Sequence, residues 1–505
     1  MTRRRRVFPV ALVSVALCTM AACGSQIERK DDPLLVRTAT GTVSGQETDG
    51  VRHWLGIPYA APPVGDLRWR APEPSAEWSG TRATQEFARP CLQSGLQTLH
   101  PDSAEDCLYL NVHRPATPSD DLPVMVWIHG GGLKTGSGTL PAEMAKGLVE
   151  EDVVLVSINY RLGRLGYFAH PALEAEAEAG GEKPVANFGL LDQIAALEWV
   201  QDNIEDFGGD PDLVTIFGIS AGGASVNYLM SSPEAEGLFD RAISQSGLGR
   251  ERPMPWDAAA AKGESLAAGL GAPEVDADEL RELDAEKIAL LPAMLLRNEV
   301  PIIDPVLPAS VAETFAAGDE ADVPYVVGAT DLELVDRYFV PLGVDPSVLR
   351  RQLAVGHQRE LGAAYGTPKE FDQHFLNDIF FAEPARNLAL AHGSRAPTYL
   401  YRFSITHDAQ RAAHGGAPHG ADYPFIFGNG AGAPLVDNAE QLAEAISGCW
   451  AAFAKGEEPE CGGVAWPEVG DGQLMEFTND GPEVVTDDPW QPRLDLVEAL
   501  YAGLP

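Results

Sequence analysis

Residues 214–227, VTIFGISAGGASVN, constrain the fold of this 505-residue chain more than any other stretch. A short β-branched and aromatic run ends at Gly218, Ser220 follows, and two glycines precede a helical pattern. The spacing G-x-S-x-G predicts a strand, a sharp turn and a helix with Ser220 at the apex. Glycines at 218 and 222 let strand and helix pass closely while the serine backbone is held under strain. The helix that begins there aims unpaired N–H groups at any negative charge forming beside the hydroxyl. A serine so placed is a candidate nucleophile that needs a base. In a chain with 51 glycines the pentapeptide could arise without function, so its strand and helix flanks carry the weight of the reading.

The rest of the pattern is strands alternating with helices, with no repeat or low-complexity break, which predicts one large α/β unit around a mostly parallel sheet. Residues 124–128 and 153–158 are continuous apolar runs of strand length, as strands covered on both faces require. Residues 192–204 carry Ile194, Leu197, Val200 and Ile204 at helical spacing, closed by Gly208, Gly209 and Pro211. Residues 325–327 and 398–403 read as later strands and 442–453 as a helix. The alanine-rich segment 258–296 reads as helical and packed over the sheet.

A second site follows the run Val126-Trp127-Ile128. There His129 leads into Gly130, Gly131 and Gly132, a turn whose bare backbone N–H groups suit an oxyanion hole. Gly131, Gly132 and Ala221, the residue after the candidate nucleophile, are the expected donors. A phosphate loop is a poor fit because Leu133, not Gly-Lys-Ser/Thr, follows. His129 reads as a structural residue steadying the loop.

The first 22 residues belong to no fold. Arg3 to Arg6 form a basic segment and an apolar stretch too short to span a bilayer follows, the pattern of an export signal. Its end, Met20-Ala21-Ala22-Cys23-Gly24, resembles the lipobox of bacterial lipoproteins, with methionine where leucine is usual. That resemblance implies lipidation at Cys23, a tether over 23–33 and a protein held on the outer face of a bacterial membrane by its lipid alone. Plain secretion is the alternative. Export suits the remaining cysteines, Cys91, Cys107, Cys449 and Cys461. Two local pairs, 91 with 107 and 449 with 461, are the simplest of three connectivities. No metal-ligand spacing is present. A formal net charge of −38 repels nucleic acid and anionic lipid, which excludes both as partners by charge.

Several motifs together resemble the type-B carboxylesterases, the cholinesterase-like family. They are Trp54-Leu55-Gly56-Ile57-Pro58-Tyr59-Ala60 with Pro62-Pro63-Val64-Gly65, then Glu105-Asp106-Cys107-Leu108-Tyr109-Leu110-Asn111-Val112, and finally Asn187-Phe188-Gly189-Leu190-Leu191-Asp192-Gln193. The similarity runs from residue 34 to the C-terminus and implies an α/β-hydrolase fold over 34–505. It also implies a serine ester hydrolase that works through an acyl-enzyme, without metal or organic cofactor, and the departures below point to neutral esters. Glu333, in Gly328-Ala329-Thr330-Asp331-Leu332-Glu333, is the implied triad acid, with Asp331 as its rival. His419, in His419-Gly420-Ala421-Asp422 before an aromatic run, is the implied base, with His414 as its rival. The order serine, acid, histidine is the one this fold uses. The resemblance also implies ion pairs of Arg68 with Glu105 and Arg161 with Asp192, and a disulfide between Cys91 and Cys107.

Two departures qualify the match. Ile219 stands before the nucleophile where glutamate is usual, and the loop between Cys91 and Cys107 holds no aromatic ring to face a quaternary ammonium. Both point to an apolar gorge. A binding protein on the same fold, or an amidase or lactonase using the same triad, are the competing readings.

Overall fold

A computed structural model describes residues 32–94, 100–117, 119–290, 301–333, 345–428 and 436–503. The leader over 1–22, Cys23 and all of the tether but its last two residues lie outside the described residues.

Eleven strands form the central sheet: β1 (Gln46–Thr48), β2 (Val51–Pro58), β3 (Tyr109–Pro115), β4 (Leu122–Ile128), β5 (Val154–Ile158), β6 (Gly209–Ile219), β7 (Arg241–Gln245), β8 (Tyr325–Thr330), β9 (Thr398–Phe403), β10 (Leu474–Thr478) and β11 (Gly481–Val485). Their spatial order is β11-β10-β9-β8-β7-β6-β4-β5-β3-β2-β1. From β10 across to β5 every pairing is parallel; β10 with β11, and the pairs among β5, β3, β2 and β1, are antiparallel. The helices that matter below are α1 (Phe188–Asn203), α2 (Ala221–Met230), α3 (Pro368–Asn377), α4 (Glu383–His392), α5 (Ala439–Ala454) and α6 (Gln491–Gly503).

The two-sided burial expected of the central strands is present: every residue of β4 and of β5 is buried. Alternate side chains serve opposite layers. Val124, Val126 and Ile128 meet Leu190, Ile194, Leu197 and Val200 of α1 on one face. Met125, Trp127 and Phe217 meet Leu442, Ile446, Trp450 and Phe453 of α5 on the other. Burial of this kind is worth about 1.5–3 kcal/mol per large apolar side chain, and it holds the strand ends that carry the site in fixed register.

The 258–296 segment departs from expectation. It breaks into helices Trp256–Gly269, Ala277–Arg281 and Ala285–Leu290, and residues beyond 290 up to 300 lie outside the described set. Leu266, Ala267, Leu280 and Ile288 pack with Trp69, Phe168, Leu173 and Phe188 in a satellite cluster rather than on the sheet. The reason is that α1 already occupies that face of the sheet, leaving its outer side as the available apolar surface. The helix expected over 192–204 begins earlier, at Phe188, and Ile204 opens a 3₁₀ turn that ends at the left-handed Gly208.

Both expected ion pairs form. Arg68 reaches Glu105 with Nε and Nη2 at 2.7 Å each, and Arg161 grips the fully buried Asp192 at 2.8 and 2.7 Å. Cys91 bonds to Cys107 and Cys449 to Cys461, the two local pairs. Among the described residues no helix is long and apolar enough to cross a membrane.

Candidate active site

Four loops at the C-terminal ends of neighbouring parallel strands build the site, the place where open α/β sheets collect function. Ser220 sits between β6 and α2 with φ 58° and ψ −123°, a conformation that side chains avoid unless their surroundings impose it. Gln245 carbonyl fixes it by accepting the Ser220 N–H at 2.8 Å. The glycines around it are required by space. A β-carbon on Gly222 would lie 2.0 Å from the Ile128 carbonyl oxygen, and one on Gly218 would lie 2.6 Å from the Gly222 carbonyl carbon. Strand, helix and the end of β4 therefore touch backbone to backbone.

The loop after β4 comes equally close. A β-carbon on Gly130 would stand 3.1 Å from Ser220 Cβ. Beyond it Gly131 and Gly132 take φ 118° and 66°, and the Gly131 carbonyl is tied back by the N–H groups of Lys134 and Thr135 at 3.2 and 3.1 Å. That carbonyl is thereby turned into its own turn, and Ala221 occupies the first position of α2, where the helix leaves its N–H groups unpaired. His129 is buried, stacked on Tyr160 at 4.4 Å, and its Nδ1 lies 2.8 Å from the Gly130 carbonyl. Burial lowers its pKa to about 4. It braces the loop, as its sequence context suggests.

Glu333 follows β8 by three residues and is wholly buried. Its Oε1 accepts the Ser246 hydroxyl at 2.5 Å and the Thr330 N–H at 2.6 Å, and its Oε2 lies 2.5 Å from His419 Nδ1. The two rivals separate cleanly. Asp331 turns away to Ala417 N–H at 2.5 Å and Arg411 at 3.0 Å, where it anchors the loop that carries His419. His414 closes a short helix, Asp408–His414, outside this network. Backbone bonds from Leu332 to the Ala417 carbonyl (3.2 Å) and from His419 N–H to the Glu333 carbonyl (3.3 Å) zip the acid loop to the base loop.

The base loop also reaches the nucleophile loop. A β-carbon on Gly420 would lie 3.7 Å from Ile219 Cδ1, so the residue after His419 rests on the residue before Ser220. On its other side the His419 ring faces Phe381 at 5.5 Å. Burial alone would lower the His419 pKa, but attraction and a hydrogen bond from Glu333, with a smaller pull from Asp422, hold it above its ordinary 6.5. Asp422 is itself pushed up to about 6, first by burial and then by the Glu333 charge. Tyr401 hydroxyl donates to its Oδ2 at 3.1 Å, while its buried Oδ1 has no protein donor among the described residues.

Ser246 and Tyr401 belong to this network, as does Asn377, whose Oδ1 accepts the Glu333 N–H at 2.7 Å, and no sequence motif marks any of the three. Ser246 alone had a legible cue, since it directly follows a strand beside the nucleophile strand. Among the described residues no group of three or more His, Cys, Asp or Glu side chains could hold a metal.

The chain has relatives over most of its length. Residues 32–345 and 362–489 match the Carboxylesterase family. The para-nitrobenzyl esterase of Bacillus subtilis (strain 168) is 35% identical over 486 residues, spanning 90% of this chain and 96% of that protein. The fumonisin B1 esterase of Sphingopyxis macrogoltabida is 36% identical over 483 residues, covering 88% and 87%. Among solved structures, a para-nitrobenzyl esterase superposes with a TM-score of 0.78 at 33% identity, over 92% of this chain and all of that one. A Geobacillus stearothermophilus carboxylesterase does so with a TM-score of 0.78 at 30% identity, over 93% and 100%.

Proposed function

We propose, for a chain that belongs to the carboxylesterase family and is a serine carboxylic ester hydrolase, that Ser220, His419 and Glu333 carry the reaction and that Gly131, Gly132 and Ala221 hold the oxyanion. The observation that supports this most is the shared bonding of Glu333, which binds His419 with one oxygen and two fixed donors with the other. That arrangement leaves His419 Nδ1 as the donor and Nε2 free to accept a proton. Ser220 Oγ loses its proton to Nε2 as it bonds to the ester carbonyl carbon, and the carbonyl oxygen takes the negative charge toward the glycine N–H groups. His419 then gives the proton to the departing alkoxide as the carbon–oxygen bond breaks, leaving an acyl-serine. Water, deprotonated by the same nitrogen, attacks that acyl group, and Ser220 leaves with the proton returned. Glu333 stabilises the imidazolium in both halves without taking its proton.

Ile219, buried where the family commonly has a carboxylate, keeps the base of the site apolar and supports small neutral esters as substrates. Hydrolysis of p-nitrophenyl acetate and butyrate, lost in Ser220→Ala, tests the assignment; turnover that survives Ser220→Ala rejects it. For the N-terminus we propose export and lipidation at Cys23. The supporting features are the basic and apolar leader and two disulfides that suit an oxidising compartment. A Cys23→Ser variant with unchanged N-terminal mass and membrane fraction would reject it.

A further inference from the structure

Glu333 is held by more than its carboxylate. Its backbone N–H donates to Asn377 Oδ1 at 2.7 Å, in a fully buried contact between residues 44 apart in sequence. Asn377 is the last residue of α3, and the next five residues, Asp378–Ala382, form a π-helical turn before α4 begins. Such turns are rare, and they recur at functional sites because the extra residue re-aims side chains. Here the turn and the residue that leads into it face two side chains toward the triad: Asn377 toward the acid and Phe381 toward the base.

The turn is pinned from behind. Asp378, fully buried, accepts the Tyr365 hydroxyl at 2.6 Å and an N–H from Arg493 Nη2 at 3.3 Å, with Arg493 Nε 2.9 Å from its other oxygen. Asn377 Nδ2 donates to the same carboxylate at 3.4 Å, which fixes the amide so that Oδ1 faces Glu333. Arg493 belongs to α6 and stacks on Trp490 at 3.9 Å. A continuous series of contacts therefore runs from the C-terminal helix to the triad acid. Every polar atom of Glu333, main chain and side chain, has a partner, and Asn377 supplies the one for its backbone N–H.

We propose that Asn377 is a positioning residue for the reaction, fixing the backbone of Glu333 through its side-chain oxygen, with the π-helical turn and Arg493 keeping that oxygen in place. The proposal rests on the triad reading above. Asn377→Leu keeps the volume and removes the acceptor, so Glu333 loses one of the anchors that aim its carboxylate at His419. Misaligning that carboxylate acts on the chemical step, where small misplacements of reacting groups cost rate.

The test compares wild type, Asn377→Leu and Asn377→Asp, whose carboxyl accepts the same N–H whether or not it is protonated. Three quantities are read for each folded variant: kcat, KM and the downfield proton resonance of His419 Nδ1–H. Asn377→Leu is expected to lose about 10- to 100-fold in kcat with KM unchanged, and to shift or broaden the resonance, while Asn377→Asp recovers both. A folded Asn377→Leu enzyme with wild-type kcat and resonance overturns the proposal, as does loss through KM alone. If Asn377→Leu does not fold, Asn377→Ala is read against Asn377→Asp by the same criteria. Ser220→Ala and His419→Ala run alongside: turnover in either overturns the triad reading and this proposal with it. If both are inactive while Asn377→Leu is unimpaired, the positioning role alone fails.

Discussion

Replacing Glu333 by glutamine tests how the acid works, because the structure dictates which way the new amide must face. Thr330 N–H and the Ser246 hydroxyl both converge on Oε1, at 2.6 and 2.5 Å. A backbone N–H cannot turn into an acceptor, so the glutamine carbonyl must take the Oε1 position and its NH₂ must take that of Oε2. The NH₂ then points at His419 Nδ1, which is 2.5 Å from Oε2 in the native protein. Two donors cannot face each other, so Nδ1 gives up its hydrogen and the proton moves to Nε2. In that tautomer the imidazole cannot accept the Ser220 proton. A change of this kind in a serine triad costs about 10⁴ in kcat, or about 5.4 kcal/mol of barrier at 1.36 kcal/mol per tenfold. The assay is p-nitrophenyl butyrate turnover at saturating ester, with circular dichroism to confirm the fold. Activity within tenfold of wild type would refute the argument, since it would mean that the buried oxygens do not set the tautomer.

Four further outcomes can be measured. His419 must be neutral to act as base and its pKa lies above 6.5, so kcat/KM should fall as pH drops through that raised value; Asp422→Asn removes a nearby negative charge and should move this limb to lower pH. The same substitution should raise the melting temperature at pH 7.5 but not below pH 3.8. The native carboxyl, at about 6 folded against 3.8 unfolded, binds more protons folded than unfolded between those values, so its stabilising balance is lost as pH rises through that window. Gly131→Ala places a β-carbon 2.0 Å from the Thr135 carbonyl oxygen at φ 118°, and by disturbing a proposed oxyanion donor should lower kcat about 10²- to 10³-fold, read in the same ester assay. Cys91→Ala with Cys107→Ala opens a link between residues 16 apart and should reduce denaturant-measured stability by about 3 kcal/mol.

Much of the site is legible in the sequence wherever chemistry forces a local pattern. The elbow at Ser220 needs glycines on both sides, and the turn at Gly130 and Gly131 has no room for a β-carbon, so both stretches announce themselves. The acid and the base come only from resemblance, because the contact between Glu333 and His419 joins loops 86 residues apart and leaves no periodic trace. Asp331 and Glu333 are indistinguishable by residue type; only the direction of each carboxylate, one toward Arg411 and one toward His419, separates them. Asn377 carries no signal at all, since a buried amide at the end of a helix looks like any other polar residue until the π-helical turn after it is seen. The alanine-rich segment 258–296 is expected on the sheet because composition says that it is buried but cannot say against what.

The most direct test of the account is to trap the acyl-enzyme. Rapid mixing with p-nitrophenyl butyrate should release one equivalent of p-nitrophenol per enzyme in a burst, and acid quenching followed by peptide mass analysis should find the butyryl group on Ser220. A butyryl group on any other residue would contradict the assignment of the nucleophile and every role derived from it.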